Sequence, residues 1–533
     1  MPISLSHNSA HKKKNKIKNH QRRSQNRKIK RKQVLLLRNA NTNFSKKCTK
    51  YNNQETLTDV DTLADEILKL AKNTGFIKRD VGFDPIIFIE SILETLAIPS
   101  VKSINLIRKQ YRQKMQKVRE IKAKMGEKPF WNRLASKECL NFVRGVLNLI
   151  ENIHNRTVEQ YKYNEGVELI SLLNKYGLKI EDIIIIDGTY WKVDSSLNEV
   201  YPGTRTNSND IKLNDVYTEH GEECFKKIKS AGIGLQTQMS LKSGSVKSMV
   251  LTPETADEKK YIDLEKRQKV LMLMDSGYYS NEIVKYFNSN PEKFFLTKGR
   301  RNCAATIIEC MIWNGTKFCK HKNCKYIGMK VSQALDLALK NNENLDLIVT
   351  LTNGEKARMV AFNTKDSKTN DDEIVLLVTN IEQNVLSPKM ITNLYRVRWQ
   401  CELLFKNLKS GCTLKFSNVS KNTNIIKVFV IASLITYFIK NIPGLVLSRS
   451  LKNISFWKIH VESIWFNDYL SAFMNNDVDT LKKILNFLYE NEDFVVKDRQ
   501  SRRKSLEFRT FRSVLDDMRQ TFEESVIQDN IAA

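Results

Sequence analysis

The first 53 residues contain no aspartate or glutamate, yet they hold 16 lysines and arginines. Such a stretch, rich also in Asn, Gln and Ser, cannot bury enough apolar surface to fold alone. Residues 1–55 are therefore expected to form a disordered basic tail that grips phosphates without reading sequence. Membrane-length apolar runs are also missing. The most apolar stretch, 425–439, is about 15 residues long and contains Lys427, short of the roughly 20 residues a spanning helix needs. A buried core helix is expected there, and no membrane partner. The N-terminus lacks an apolar segment of the secretory kind. The nine cysteines are scattered, without Cys-x-x-Cys pairs, which points to reduced thiols in a cytoplasmic protein. Cys303, Cys310, Cys319 and Cys324, with His321, are the one cluster that could take zinc. Without paired knuckles they are read as half-buried thiols in a β-rich segment.

What the sequence has in excess is positive charge. Lys and Arg number 87 against 59 acidic residues, a formal +28 over 533 residues. Neutralising phosphates releases condensed counterions, so a polyanionic partner is expected. The apolar fraction of 41% is that of a folded protein, and the length allows two to four domains.

Composition changes along the chain. Apolar residues recur at helical spacing over 59–70, 88–96, 101–122 and 138–153, the third segment dense in Lys and Arg. Residues 56–175 are thus expected to form a helical, DNA-binding domain with a basic face. Residues 183–186 are four consecutive isoleucines, and 270–274 read VLMLM. Short apolar runs without alternation suit strands buried on both faces. With strands expected at 233–241, 246–251 and 294–297, and a helix at 257–269, residues 176–300 read as an α/β layered domain. Short strands at 345–351, 357–363 and 373–379 mark residues 301–385 as a β-rich insertion. Helical spacing then resumes over 386–445 and continues, mixed with charge, over 446–533. No internal repeat is present.

Two aspartates end the two apolar runs. Asp187 and Asp275 are each followed closely by glycine, and on parallel neighbouring strands they would emerge at one edge of the sheet. Carboxylates held together repel, and hard oxygen ligands with nearby phosphate favour Mg²⁺, with Mn²⁺ able to substitute. Either residue alone could equally start a turn or cap a helix. The segment 395–409, YRVRWQCELLFKNLK, supplies a third carboxylate. On one helix, Tyr395, Arg398, Glu402, Lys406 and Lys409 share a stripe, and Val397, Leu404 and Leu408 lie opposite. The stripe can offer a carboxylate and a grip on phosphates together; an amphipathic helix with ion pairs on its solvent face has the same spacing. Lys298, Arg300 and Arg301 follow the 294–297 strand and are further candidate DNA contacts.

The spacing Tyr-x2-Arg-x3-Glu-x6-Lys at 395, 398, 402 and 409 resembles the YREK signature of the insertion-sequence-four family of bacterial DDE transposases. The segments beginning at Asp187 and Asp275 are similar to that family's first two catalytic motifs, and the resemblance covers about 180–440. It implies an RNase H-like core split by the β-rich insertion, and cut-and-paste transposition with two metal ions held by Asp187, Asp275 and Glu402. It also implies phosphate contacts from Tyr395, Arg398 and Lys409, with Lys406 a further one and Trp399 packing beside the site. The implied partners are double-stranded DNA, both the element's terminal inverted repeats and the target, and a second copy of the chain in a homodimer. Relatives often carry a Trp on the last insertion strand to stack on a flipped base. Here Ile374 and Val375 stand in that place, and Trp313 is read as core. The other readings are a transposase-derived DNA binder without catalysis and another RNase H-fold nuclease, for which the YREK stripe has no use.

Overall fold

The computed structural model describes residues 63–521 apart from 79–81, 98–102, 120–124, 162–164, 205–229, 265–267, 314–317, 321–323, 366–370, 415–419, 452–453 and 497–513. The basic tail expected over 1–55 and His321 lie outside the described residues.

Among the described residues, six helices precede the sheet: α1 (Leu63–Asn73), α2 (Pro85–Ala97), α3 (Ile104–Arg119), α4 (Glu127–Leu134), α5 (Lys137–Tyr161) and α6 (Glu165–Lys175). Every residue of α2 is buried, including two carboxylates. Lys114 of α3 reaches both Glu90 and Glu94 at 2.6 Å, so the charges enter the interior already paired. The exposed side of α3 carries Lys109, Arg112 and Lys117, the basic face that composition foretold.

A ten-stranded mixed sheet follows. Its strands are β1 (Asp182–Val193), β2 (Ala231–Ser240), β3 (Val246–Pro253), β4 (Val270–Met274), β5 (Lys293–Lys298), β6 (Thr306–Trp313), β7 (Phe318–Lys320), β8 (Leu345–Thr350), β9 (Lys356–Lys365) and β10 (Asp372–Thr379). Helix α7 (Asn281–Asn288) joins β4 to β5, and α8 (Val331–Lys340) lies between β7 and β8. The spatial order is β3-β2-β1-β4-β5-β10-β9-β8-β6-β7. Among the described residues, only β1–β4 and β4–β5 are parallel pairs. Their central residues, 183–186, 270–274 and 294–296, are continuous apolar runs, as burial on both faces requires. The architecture is mixed α/β, an RNase H-like arrangement with helical flanks.

The insertion is not a separate β layer. Its last strand, β10, pairs antiparallel with β5, Val378 opposite Thr297, and with β9 on its other side. The insertion strands therefore extend the core sheet. The insertion also contains the helix α8, which the alternating strands around it did not suggest. Ile374, Leu376 and Val378 of β10 are buried in the sheet's core. Trp313 is not core: it is 38% exposed at the end of β6, its ring 5.2 Å from that of Phe318. The helix expected over 257–269 is also absent from the residues described there. They contain one 3₁₀ turn, Glu258–Tyr261.

After the sheet come α9 (Pro388–Arg396), α10 (Trp399–Ser410), α11 (Thr423–Leu447), α12 (Phe456–Val461), α13 (Phe466–Met474) and α14 (Val478–Glu490). Helix α11 is long and apolar enough to cross a membrane, but 94% of its most apolar window is buried inside the protein, packed against α5 and α2. Lys440 on α11 is fully buried. Its ammonium donates to the carbonyls of Ala97, Gly411 and His460 at 3.2, 3.0 and 2.9 Å, using all three of its protons.

Candidate active site

The sheet sets the two aspartates side by side. In the parallel pairing of β1 with β4, Ile186 stands opposite Met274, so Asp187 and Asp275 are the next residues on the two strands. There β4 ends, while β1 runs on against β2 alone, leaving one flank of Asp187 open. Thr297 of β5 secures the neighbour, donating its hydroxyl to the Asp275 carbonyl at 3.0 Å. Asp275 precedes a 3₁₀ turn, Ser276–Tyr278, but its carboxylate makes no capping hydrogen bond. Asp275 does start that turn, its carbonyl accepting from the Tyr278 amide at 3.1 Å, but its side chain does not cap it.

Glu402 arrives from the helical side. The expected single helix over 395–409 is two helices, because Val397 and Arg398 turn tightly: the amides of Val397 and Arg398 bond three residues back, to Leu394 and Tyr395. Tyr395 lies in the last turn of α9 and Glu402 in the first turn of α10. Val397, Leu404 and Leu408 are buried, as the apolar stripe required, and α10 packs on β1.

Arg398, at the break, joins the two halves. Its Nη1 donates to Asp187 Oδ2 at 2.5 Å and its Nη2 to Glu402 Oε1 at 2.6 Å. The guanidinium carbon stands 5.7 Å from the centre of the Tyr395 ring. Burial works against the Arg398 charge, but Tyr395, Asp187, Asp275 and Glu402 outweigh it and hold the proton more firmly than usual. Asp187 is pushed up to about 6, chiefly by burial. Arg398 and the Gly188 amide oppose that rise, while Asp275 and Glu402 add to it. Two neighbouring carboxylates thus leave an electrostatic imprint on a third.

Beneath the site lies a polar network that the spacing of the aspartates did not reveal. Tyr278 donates its hydroxyl to Gln236 Oε1 at 2.6 Å, and Gln236 Nε2 donates to the Tyr190 hydroxyl at 3.0 Å. Tyr190 in turn donates to Glu258. Burial first, and then Glu258, push both tyrosine hydroxyls up, so they remain neutral donors. Gly188 is needed for closeness: a Cβ there would lie 2.8 Å from Gln236 Oε1. The available signal was β2 itself, a strand buried at every position although it carries Gln236, Thr237, Gln238 and Ser240.

The remaining candidates lie around this centre. Lys406 is exposed, its ammonium 4.3 Å above the Trp457 ring, and Lys409 is half-buried on the same helix. Because β5 is parallel to β4, Lys298, Arg300 and Arg301 emerge at the sheet edge that carries the aspartates. Lys298 stands 3.8 Å from Glu373 and Arg301 3.1 Å from Asp336; both are half-exposed ion pairs that water weakens. Trp399 is 38% exposed.

Asp187, Asp275 and Glu402 bring hard oxygen donors of one chemistry to one sheet edge, which suits a divalent cation of the Mg²⁺ class. As they stand, no three His, Cys, Asp or Glu side chains among the described residues are gathered closely enough to hold an ion. The Arg398 fork lies between two of the carboxylates.

Residues 179–439 match the family model of the transposase DDE domain. The match spans β1 to the middle of α11, and so contains all three carboxylates. No curated protein matches the chain.

Proposed function

From the match of residues 179–439 to the transposase DDE domain, a family of DNA-acting enzymes that generally use divalent metal, we propose that this chain is a cut-and-paste transposase of the insertion-sequence-four type. Asp187, Asp275 and Glu402 are its metal ligands and Mg²⁺ or Mn²⁺ its cofactor. The observation that carries this reading is the level placement of Asp187 and Asp275 on adjacent parallel strands, with Glu402 tied to Asp187 through Arg398.

When bound, two such ions supply Lewis acidity to an in-line displacement at phosphorus. The chain's own residues do the rest. Thr297 and the β1–β4 pairing hold the aspartates in register. The Tyr190–Gln236–Tyr278 network keeps the floor of the site rigid. Arg398, Lys406 and Lys409 bind backbone phosphates with Tyr395 packed beside them, and Lys298, Arg300 and Arg301 extend that basic track along the sheet edge. The helices before the sheet, with the basic face of α3, form the sequence-reading domain. Two copies of the chain pair the element's ends. Hydrolysis of the phosphodiester at an end frees a 3′-hydroxyl; that hydroxyl attacks a phosphorus of the target DNA, forming a new phosphodiester and releasing the target strand's own 3′-hydroxyl. The strand β10 offers no aromatic ring for stacking a flipped base.

The test is cleavage of a labelled duplex carrying the DNA that flanks the coding segment, with Mg²⁺ or Mn²⁺. Nicking at the element ends that disappears in Glu402→Gln is expected. End binding without cleavage in either protein would instead identify a DNA-binding relative that has lost catalysis.

A further inference from the structure

Arg398 has two incompatible sets of partners. Its fork is closed on Asp187 and Glu402 at 2.5 and 2.6 Å, and its side chain is only 15% exposed. The same fork is the group best shaped to take a DNA phosphate, since a guanidinium presents paired donors to either anion. A divalent ion bound by the carboxylates would have to share Asp187 and Glu402 with a guanidinium that already neutralises them. Among the described residues the carboxylates are not drawn together as an ion would draw them.

We propose that Arg398 is an internal counter-cation that keeps divalent metal out of the site until a DNA phosphate draws it away. Metal loading thereby follows DNA binding. The proposal rests on the reading of Asp187, Asp275 and Glu402 as metal ligands. Removing one partner from a buried ion pair is costly because the other is left uncompensated. Arg398 therefore leaves the carboxylates only when another anion receives it and a cation replaces it. A phosphate and a divalent ion do both, one on each side of the exchange, so each ligand favours the other. The break between α9 and α10 places Arg398 on a two-residue turn between the helices, where a side-chain swing leaves both intact. Lys406, exposed two turns further along α10, would lead a phosphate towards it. A nuclease site built this way stays unloaded while no DNA is present.

The test is Mn²⁺ binding to the full-length protein, followed by the paramagnetic resonance signal of the free ion, with and without a duplex of the flanking DNA. Without DNA, Arg398→Gln should bind Mn²⁺ about tenfold or more tightly than the wild type, within the range of ordinary coupling energies. Arg398→Lys keeps the charge but loses the fork, and should fall between them. The duplex should tighten Mn²⁺ binding to the wild type by a similar factor and leave Arg398→Gln nearly unchanged. Equal or weaker Mn²⁺ affinity in both variants, or a wild-type affinity indifferent to DNA, overturns the proposal. Asp187→Asn separates the two levels of failure. If it abolishes Mn²⁺ binding while the Arg398 variants change nothing, only the counter-cation role falls. If it leaves Mn²⁺ binding intact, the metal-ligand reading falls and takes the counter-cation with it.

Discussion

Arg358 grips Asp346 in a buried two-pronged ion pair, Nε to Oδ1 and Nη2 to Oδ2, both at 2.9 Å. Its remaining nitrogen donates to the carbonyls of Ile381, Glu382 and Leu386 at 3.3, 2.9 and 2.7 Å. Those carbonyls lie in the turn before Ser387, the N-cap of α9. The pair thus fastens the insertion strands to the helices that carry Arg398 and Glu402. Arg358→Leu leaves Asp346, itself fully buried, without its counter-charge and should cost about 3–5 kcal/mol. Urea unfolding of the single variants and of Arg358→Leu/Asp346→Leu is the check. The double variant should be more stable than Arg358→Leu alone.

Gly188→Ala should disturb the floor of the site. The new methyl would meet Gln236, whose amide is held from both sides by Tyr190 and Tyr278. Overpacking of this kind costs roughly 1–3 kcal/mol. Strand cleavage should fall further than duplex affinity, because the displaced network underlies Asp187 and not the basic track. Cleavage at the wild-type rate would show that the network is not needed.

His154 makes the fold sensitive to acid. It lies on α5 against Phe438 of α11, ring centres 4.9 Å apart, and is 3% exposed. Burial holds its pKa down to about 4, below the ordinary 6.5. The folded state therefore binds fewer protons than the unfolded one between these values, and stability falls as pH drops through them. From about pH 7 to about pH 5 the loss should be roughly 2 kcal/mol. His154→Phe should remove that part of the pH dependence, as read from urea midpoints at the two pH values.

Lys406→Ala should weaken duplex binding and reduce the slope of log affinity against log salt by about 1, the signature of one lost phosphate contact. Fluorescence anisotropy over a salt series measures it. An unchanged slope would assign Lys406 to its contact with Trp457 alone.

Much of the sheet was legible in advance because its central strands have a simple requirement. Burial on both faces demands continuous apolar runs, so 183–186 and 270–274 announced themselves, and with them the aspartates at their ends. Helix α10 was legible through Leu404 and Leu408, which had to face the sheet. The break at Val397 and Arg398 was not, since no proline or glycine marks it and two tight backbone turns suffice to make it. Nor could spacing show where the Arg398 fork goes, because its partner Asp187 is 211 positions away. Trp313 misled for a related reason: an aromatic at the last position of a strand lies at the rim, where burial no longer follows from residue type. Glu258 joined the site through the hydroxyl of Tyr190, 68 positions earlier.

The continuity of the sheet from β5 into β10 sets the order in which the protein can be assembled. The seam is fastened by contacts such as Phe295 N–H to Asn380 Oδ1 at 3.0 Å, between residues 85 positions apart. The pairing of β1 with β4 also closes a long loop. Entropy must be spent on such loops before any contact across them returns it. During synthesis the segment with Asp187 emerges well before the strand that positions Asp275, and much earlier than Arg398. The three carboxylates and Arg398 are therefore assembled late in folding, only after the far ends of the domain have met.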